Sequence, residues 1–328
     1  MAKGKLLRIR RGAPATWGEA LEQFLCWKQA QGRRSRTLTD YRKVVGLFFR
    51  RHPEAWQGGG KLRAAVYSFF GESIKPATYN LRLAYLRQFF AWCVREGIFA
   101  ENPLEGLKKR RDEGRVVSLD AETLQRLLTL PDRRTFAGLR DYALLLLTLD
   151  TGIRPKEAFS LLPGDVNLRS LEVYVRAESA KTGAARTLYV SPVTAEAVRK
   201  LLAARHPAWK AAVPVFCTEN GTPLSASTWG DRLEMYSRRL GVKIRPYDLR
   251  HTFALTFLRN GGHALALQRM LGHVDLSMTK RYVALTQQDI REQHALASPL
   301  NALLPRRERV RKLPQPHDHG PGDKKRRR

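Results

Sequence analysis

A chain of 328 residues with 43% hydrophobic content can bury sizeable cores, as one large domain or two ordinary ones. Its 59 Lys and Arg against 30 Asp and Glu leave a formal net charge of +29, which points to a polyanionic partner, nucleic acid ahead of any anionic membrane surface. Composition argues against a membrane span, a secretory signal and a disulfide scaffold: the longest apolar run, YALLLLTL from Tyr142, is too short for a bilayer, the N-terminus lacks an apolar signal core, and Cys26, Cys93 and Cys217 stand far apart in a pattern that fits a reducing cytoplasm.

Residues 1–15 form a basic N-terminal extension. TWGEALEQFLCWKQAQG predicts the first helix: Thr16 with Glu19 is a capping-box pattern, and Leu21, Phe24, Leu25 and Trp27 give an apolar side. TLTDYRKVVGLFFRRH repeats helical spacing through Tyr41, Val44, Val45, Phe48 and Phe49. KLRAAVYSFF predicts a shorter helix. KPATYNLRLAYLRQFFAWCVREG predicts the best-marked one, begun at Pro76, striped by Tyr79, Leu83, Leu86, Phe90 and Val94, and stopped by Gly97. Together they make residues 16–107 a compact all-α unit. Residues 108–117 then read as a linker whose basic run, Lys108, Lys109, Arg110 and Arg111, suits phosphate contact and plain solvation equally.

The second unit spans residues 118–304. DAETLQRLLTL and TFAGLRDYALLLLTLDTG read as helices. SLEVYVRAES and ARTLYVSP read as strands around the turn AKTGA, and VPVFCT is a further β-rich candidate. Helical patterns resume after it. The expected class is therefore α+β and mostly helical, with a small antiparallel sheet. The tail, residues 305–328, ends in KKRRR and is expected to be a disordered, phosphate-seeking arm.

Three stretches of the second unit carry candidate chemistry. In DTGIRPKEAFSL, Gly152 ends one helix and Pro155 opens the next, so Arg154 lies at a helix N-terminus that favours an anion. RPYDLRHTFALTFLRNGG gathers Tyr247, Arg250 and His251 within about one turn, ahead of an apolar stripe. LGHVDLSMTKRY adds His273 and, nine residues later, Tyr282. Taken singly, these are an ordinary surface arginine, a polar helix face, a capping histidine and a core aromatic. Taken together with Lys181 in the AKTGA turn, they are what phosphodiester transfer through a protein nucleophile requires. Guanidinium forks hold phosphate oxygens, a Tyr hydroxyl forms the covalent link, and a Lys protonates the leaving oxygen. No H-E-x-x-H and no paired carboxylate cluster supports a metal nuclease. GGGK at residues 58–61 lacks the spacing of a phosphate loop, and HDH at residues 317–319 reads as solvated tail.

TGIRPKEA, PYDLRHTFA and LGHVDLSMTKRY, in this order, resemble the three boxes of the tyrosine recombinase (phage integrase) family, and the likeness extends over about Thr16 to Leu300. The resemblance implies that Arg154, Lys181, Arg250, His273 and Tyr282 are catalytic. It implies a helical core-DNA-binding domain and a catalytic domain closing as a C-shaped clamp on duplex DNA. It further implies site-specific cleavage and rejoining through a 3′-phosphotyrosine, without metal or cofactor, by a tetramer assembled on paired sites. Tyr247 stands where the family usually has His. It is placed in the site, but with a pKa near 10 it is a poor base, which leaves the proton acceptor for Tyr282 open. His251 is read as structural or supporting. The segment LTQQDIREQHALASPL, with Leu285, Ile290, Leu296 and Leu300, is expected to dock on a neighbouring subunit. With little chain before Thr16, a simple recombinase reading only core sites is expected. Type IB topoisomerase-like relaxation and a catalytically impaired DNA-binding module are the alternatives.

Overall fold

The computed structural model describes residues 14–112, 117–180, 182–280, 282–283, 291 and 294–303. The basic extension up to residue 13, Lys181, residues 284–290 and the 305–328 tail lie outside the described residues. The chain divides into two compact units, Met1–Arg115 and Val116–Arg328, a boundary inside the stretch read as a linker. No described helix is long and apolar enough to cross a membrane.

The first unit has four α-helices among its described residues: α1 Trp17–Ala30, α2 Ser35–Arg51, α3 Gly59–Gly71 and α4 Pro76–Arg95. Thr16 caps α1, its hydroxyl accepting the Glu19 N–H at 3.2 Å. The return half of the expected capping box is shifted by one residue: the Glu19 carboxylate takes the N–H of Ala15 at 3.0 Å. The apolar stripes meet in an aromatic core. Phe48 packs edge-on against Phe69 at 5.3 Å and Phe90 at 5.8 Å, and Phe24 meets Phe89 in the same way at 5.4 Å. Such offset geometries add to the area buried.

Part of the basic run folds back onto this unit. Arg110 exchanges two 2.8 Å hydrogen bonds with the Asn80 side chain, donates to the Phe70 carbonyl, and lies 4.0 Å over the Tyr79 ring. Its guanidinium is a packing group. All four residues of the run, Lys108, Lys109, Arg110 and Arg111, are exposed.

The second unit is built around α6 (Phe136–Thr151), a buried helix capped by Thr135 and ended by Gly152 in the left-handed region at φ 63°. Around it lie α5 Ala121–Thr129, α7 Pro155–Ala158, α8 Pro192–Ala203, α9 Ala226–Leu240, α10 Pro246–Arg259, α11 Ala264–Leu271 and α12 Ser277–Lys280. A last helical turn, α13, covers Leu300–Leu303. The sheet is antiparallel in the order β1 (Val166–Asn167), β2 (Glu172–Val175), β3 (Arg186–Tyr189). VPVFCT is not its third strand. Val215, Phe216 and Cys217 are fully buried core residues, joined to Pro223 only through an isolated bridge at Cys217. The third strand is the two-residue β1, too short to show a period.

The β2–β3 register pairs Val173 with Leu188 and Val175 with Arg186. Directly paired residues share a face, so Arg186 points the same way as the buried valines. A guanidinium on a core face must find acceptors, and those it finds help to organise the site.

Candidate active site

Glu157, in the first turn of α7, is buried and receives two arginines. Its carboxylate takes Arg186 through contacts of 2.6 and 3.2 Å, and Arg154 through its backbone N–H and one guanidinium nitrogen, both at 3.1 Å. Burial is the largest single influence on this carboxyl and acts upward. The hydrogen bond and charge of Arg186, with the charge of Arg154, outweigh it and hold the group below the usual carboxylate range.

The carbonyls at the end of α11 complete the frame. Three consecutive ones each take a different arginine: Met270 accepts Arg186 at 2.8 Å, Leu271 accepts Arg250 at 2.8 Å, and Gly272 accepts Arg154 at 3.1 Å. The carbonyl of Gly152, closing α6, takes the other end of the Arg250 guanidinium. Helix C-termini leave carbonyls without intrahelical partners and carry partial negative charge, so they suit cations. The left-handed glycines at the two ends, φ 63° for Gly152 and 60° for Gly272, turn the chain where these carbonyls are presented.

Arg250 on α10 is deeply buried. Burial, and then the neighbouring charge of Arg154, lower its pKa to about 9, against the opposing pull of Glu157 and Tyr282. It stays cationic at neutral pH. A guanidinium has five N–H donors in all. Among the described residues, Arg154 gives two side-chain hydrogen bonds and Arg250 three, so each keeps donors for an anion.

His273 follows α11, with Nε2 3.3 Å from Arg250 Nη2 and Nδ1 2.9 Å from the Thr279 hydroxyl. Guanidinium can only donate, so the neutral tautomer that satisfies both contacts carries its proton on Nδ1. Tyr282 is buried against Phe253, Ala254, Leu267 and Leu271. Its hydroxyl lies 2.7 Å from Nδ1 of His251, the residue after Arg250.

The structure thus gathers Arg154, Arg250, His273 and Tyr282 from three stretches of one unit. Tyr247 lies in the first turn of α10, 52% exposed. Among the described residues no hydrogen bond joins it to Tyr282 or to the arginines. Lys181 lies outside the described residues, and Lys108, Lys109, Arg110 and Arg111 belong to the other unit. Sequence reasoning missed Glu157, Arg186 and the position of His251. The Glu three residues after Arg154 was a visible capping signal; Arg186 depended on sheet register and gave none.

Buried arginines in one unit with a buried, histidine-bonded tyrosine hydroxyl suit acyl or phosphoryl transfer through a protein nucleophile, and arginine forks favour the phosphoryl case. Residues 118–289 match the model of the Phage integrase family. The chain is 31% identical over 299 residues to the tyrosine recombinase XerD of Xanthomonas axonopodis pv. citri, covering 85% of this chain and 97% of that one. It is 30% identical over 285 residues to the tyrosine recombinase XerC of Xylella fastidiosa, covering 82% and 92%. In fold it is similar to the Tn1549 transposon integrase solved with transposon right end DNA, with a TM-score of 0.70 at 16% identity, covering 85% of this chain and 99% of that one. It is likewise similar to a lambda integrase dimer bound to a core site, with a TM-score of 0.64 at 18% identity over 81% and 94%. The chain belongs to the phage integrase family, and it is a site-specific recombinase of the tyrosine class. The topoisomerase-like and impaired-module alternatives are not favoured by these relatives.

Proposed function

We propose that the enzyme cuts duplex DNA with Tyr282, which takes the scissile phosphate as a 3′-phosphotyrosine and later returns it to a 5′ hydroxyl. Arg154 and Arg250 hold the non-bridging oxygens. His273 adds a contact from the Arg250 side, and Lys181 protonates the departing 5′ oxygen. Tyr247, exposed at the mouth of α10, serves as a phosphate contact. The observation that carries this reading is that the Tyr282 hydroxyl is hydrogen-bonded at 2.7 Å to His251, the residue next to Arg250, in the same unit as one frame of buried arginines. Such donors lower the barrier by stabilising charge that develops on the phosphoryl oxygens.

The partner is double-stranded DNA, and the working form is a tetramer on paired sites in the cytoplasm. Leu296, Leu300 and Leu303 support assembly: they are 77%, 58% and 72% exposed, so their side chains leave apolar area for a second copy. Lys108, Lys109 and Arg111 add phosphate contacts from the other unit.

The test starts from a half-site enriched by this protein out of a randomised duplex pool, rebuilt as a nicked suicide substrate. The wild-type chain should form a covalent adduct at Tyr282. Tyr282→Phe should bind the same duplex and form none; an adduct with the Phe variant would overturn the assignment.

A further inference from the structure

We infer that His251 is the proton acceptor for the Tyr282 hydroxyl, and hence a catalytic residue. This rests on the reading of Tyr282 as nucleophile. The 2.7 Å separation between His251 Nδ1 and Tyr282 Oη is a direct hydrogen bond to the reacting atom. The two rings are tilted by 45° with centroids 5.7 Å apart, so they meet through that bond rather than by stacking. The exposed Tyr247 sits four residues earlier, one turn along the same side of α10.

The neighbours of His251 in the chain are fixed. Arg250 is bound to two helix C-termini. On the other side, the Thr252 hydroxyl donates to the Asp248 carbonyl at 2.8 Å and accepts the Leu119 N–H at 3.0 Å. The imidazole is therefore carried on a rigid turn. Among the described residues, the charged and titratable groups that bear on Arg250 are Tyr282, Arg154 at the start of α7, Glu157 of α7, Arg186 of β3 and His273 beyond α11. Arginines outnumber the carboxylate. A histidine with an ordinary pKa of about 6.5 is free to accept at pH 7, whereas a phenol with a pKa of about 10 does not ionise there unaided.

In cleavage, the Tyr282 oxygen forms its bond to phosphorus as the bond from phosphorus to the 5′ oxygen breaks. The phenol proton passes to Nδ1 of His251, and the 5′ oxygen takes a proton from the acid assigned above to Lys181. In rejoining, the 5′ hydroxyl attacks and gives its proton back to Lys181, the phosphotyrosine bond breaks, and the imidazolium returns its proton to the Tyr282 oxygen. Each half-reaction leaves atoms and charge balanced.

The experiment measures single-turnover adduct formation on the nicked half-site duplex by the full chain and by His251→Ala and His251→Asn. Asn keeps a hydrogen-bonding side chain near the phenol but cannot take its proton. Each duplex is made with a normal 5′ oxygen and with a 5′ bridging sulfur, a leaving group that needs no acid. Both variants should melt and bind the duplex like the wild type, and form adduct about 10²–10⁴-fold more slowly with either leaving group. The deficit should narrow as pH rises from 6 to 9 toward the phenol's own ionisation, a ratio from which any change in the common arginine frame cancels. A rate within about threefold of wild type for Asn would reduce His251 to a positioning group. Rescue by the sulfur substrate would make it the acid, and a constant ratio across pH would remove it from proton transfer. An adduct with Tyr282→Phe would instead sink the nucleophile reading itself.

Discussion

Replacing Glu157 by Gln tests whether one carboxylate holds the arginine frame. The Gln side chain has the same shape but no charge, and its NH2 group would face a guanidinium where an acceptor stood. Arg154, Arg186 and Glu157 are all buried, with side chains 7%, 10% and 1% exposed. Solvent screening therefore does little, and removing one partner of such a buried pair costs about 3–5 kcal/mol. For a unit of this size each kcal/mol shifts Tm by about 2–4 °C, so the catalytic unit should melt roughly 6–20 °C lower. The folded carboxyl titrates below its unfolded value. Its contribution is therefore complete above the unfolded pKa of about 4.3 and disappears as pH falls through the lower, folded one. The gap between wild type and Glu157→Gln should be constant from pH 8 to about 5 and shrink below pH 4. Thermal melts across pH measure it. A gap under about 2 °C at pH 7, or one that widens on acidification, would show that the arginines do not depend on Glu157.

Gly152→Ala should lose about 2–4 kcal/mol in denaturant unfolding, from the left-handed backbone and from overpacking. A Cβ there would clash with the Phe253 ring and come 2.7 Å from Leu271 Cδ2. Because Gly152 and Leu271 both supply carbonyls to Arg250, adduct formation should fall beyond any loss of DNA binding. Lys108→Gln with Lys109→Gln should weaken binding and flatten the slope of log affinity against log salt by about two, leaving cleavage of bound DNA unchanged. Arg110→Gln should instead lower the melting temperature of the helical unit, because it removes the contacts with Phe70 and Tyr79.

The helices were legible because their apolar residues recur at helical spacing and their ends carry Thr16, Pro76, Thr135 and Gly152, residues with a mechanical reason to be there. The apolar run VPVFCT misled because full burial and strand formation both select such residues. In the site, Arg154, Arg250, His273 and Tyr282 stood out through ordered short motifs. Arg186 did not, because its role is set by a cross-strand partner and by Glu157, 29 residues away in sequence. His251 was legible only as the neighbour of Arg250; the contact with Tyr282 spans 31 residues and depends on where α12 returns the chain.

The way the arginines are satisfied bears on why they can still bind phosphate. Among the described residues, a single carboxylate serves the three guanidinium groups, bonding Arg154 and Arg186, and apart from His273 Nε2 their remaining acceptors are main-chain carbonyls from the ends of α6 and α11. A carboxylate for each arginine would neutralise the frame and compete with an incoming phosphate for the same donors. A helix C-terminus carries only about half an elementary charge, spread over its last turn. It satisfies N–H groups that burial would otherwise leave costly, while leaving the frame net positive. Glu157 is then needed where two arginines approach most closely, and the carbonyls suffice elsewhere. On this account the Leu-Gly-His and Thr-Gly-Ile-Arg stretches are more than carriers of His273 and Arg154. Their glycines end two helices at the places where the closing carbonyls meet Arg250.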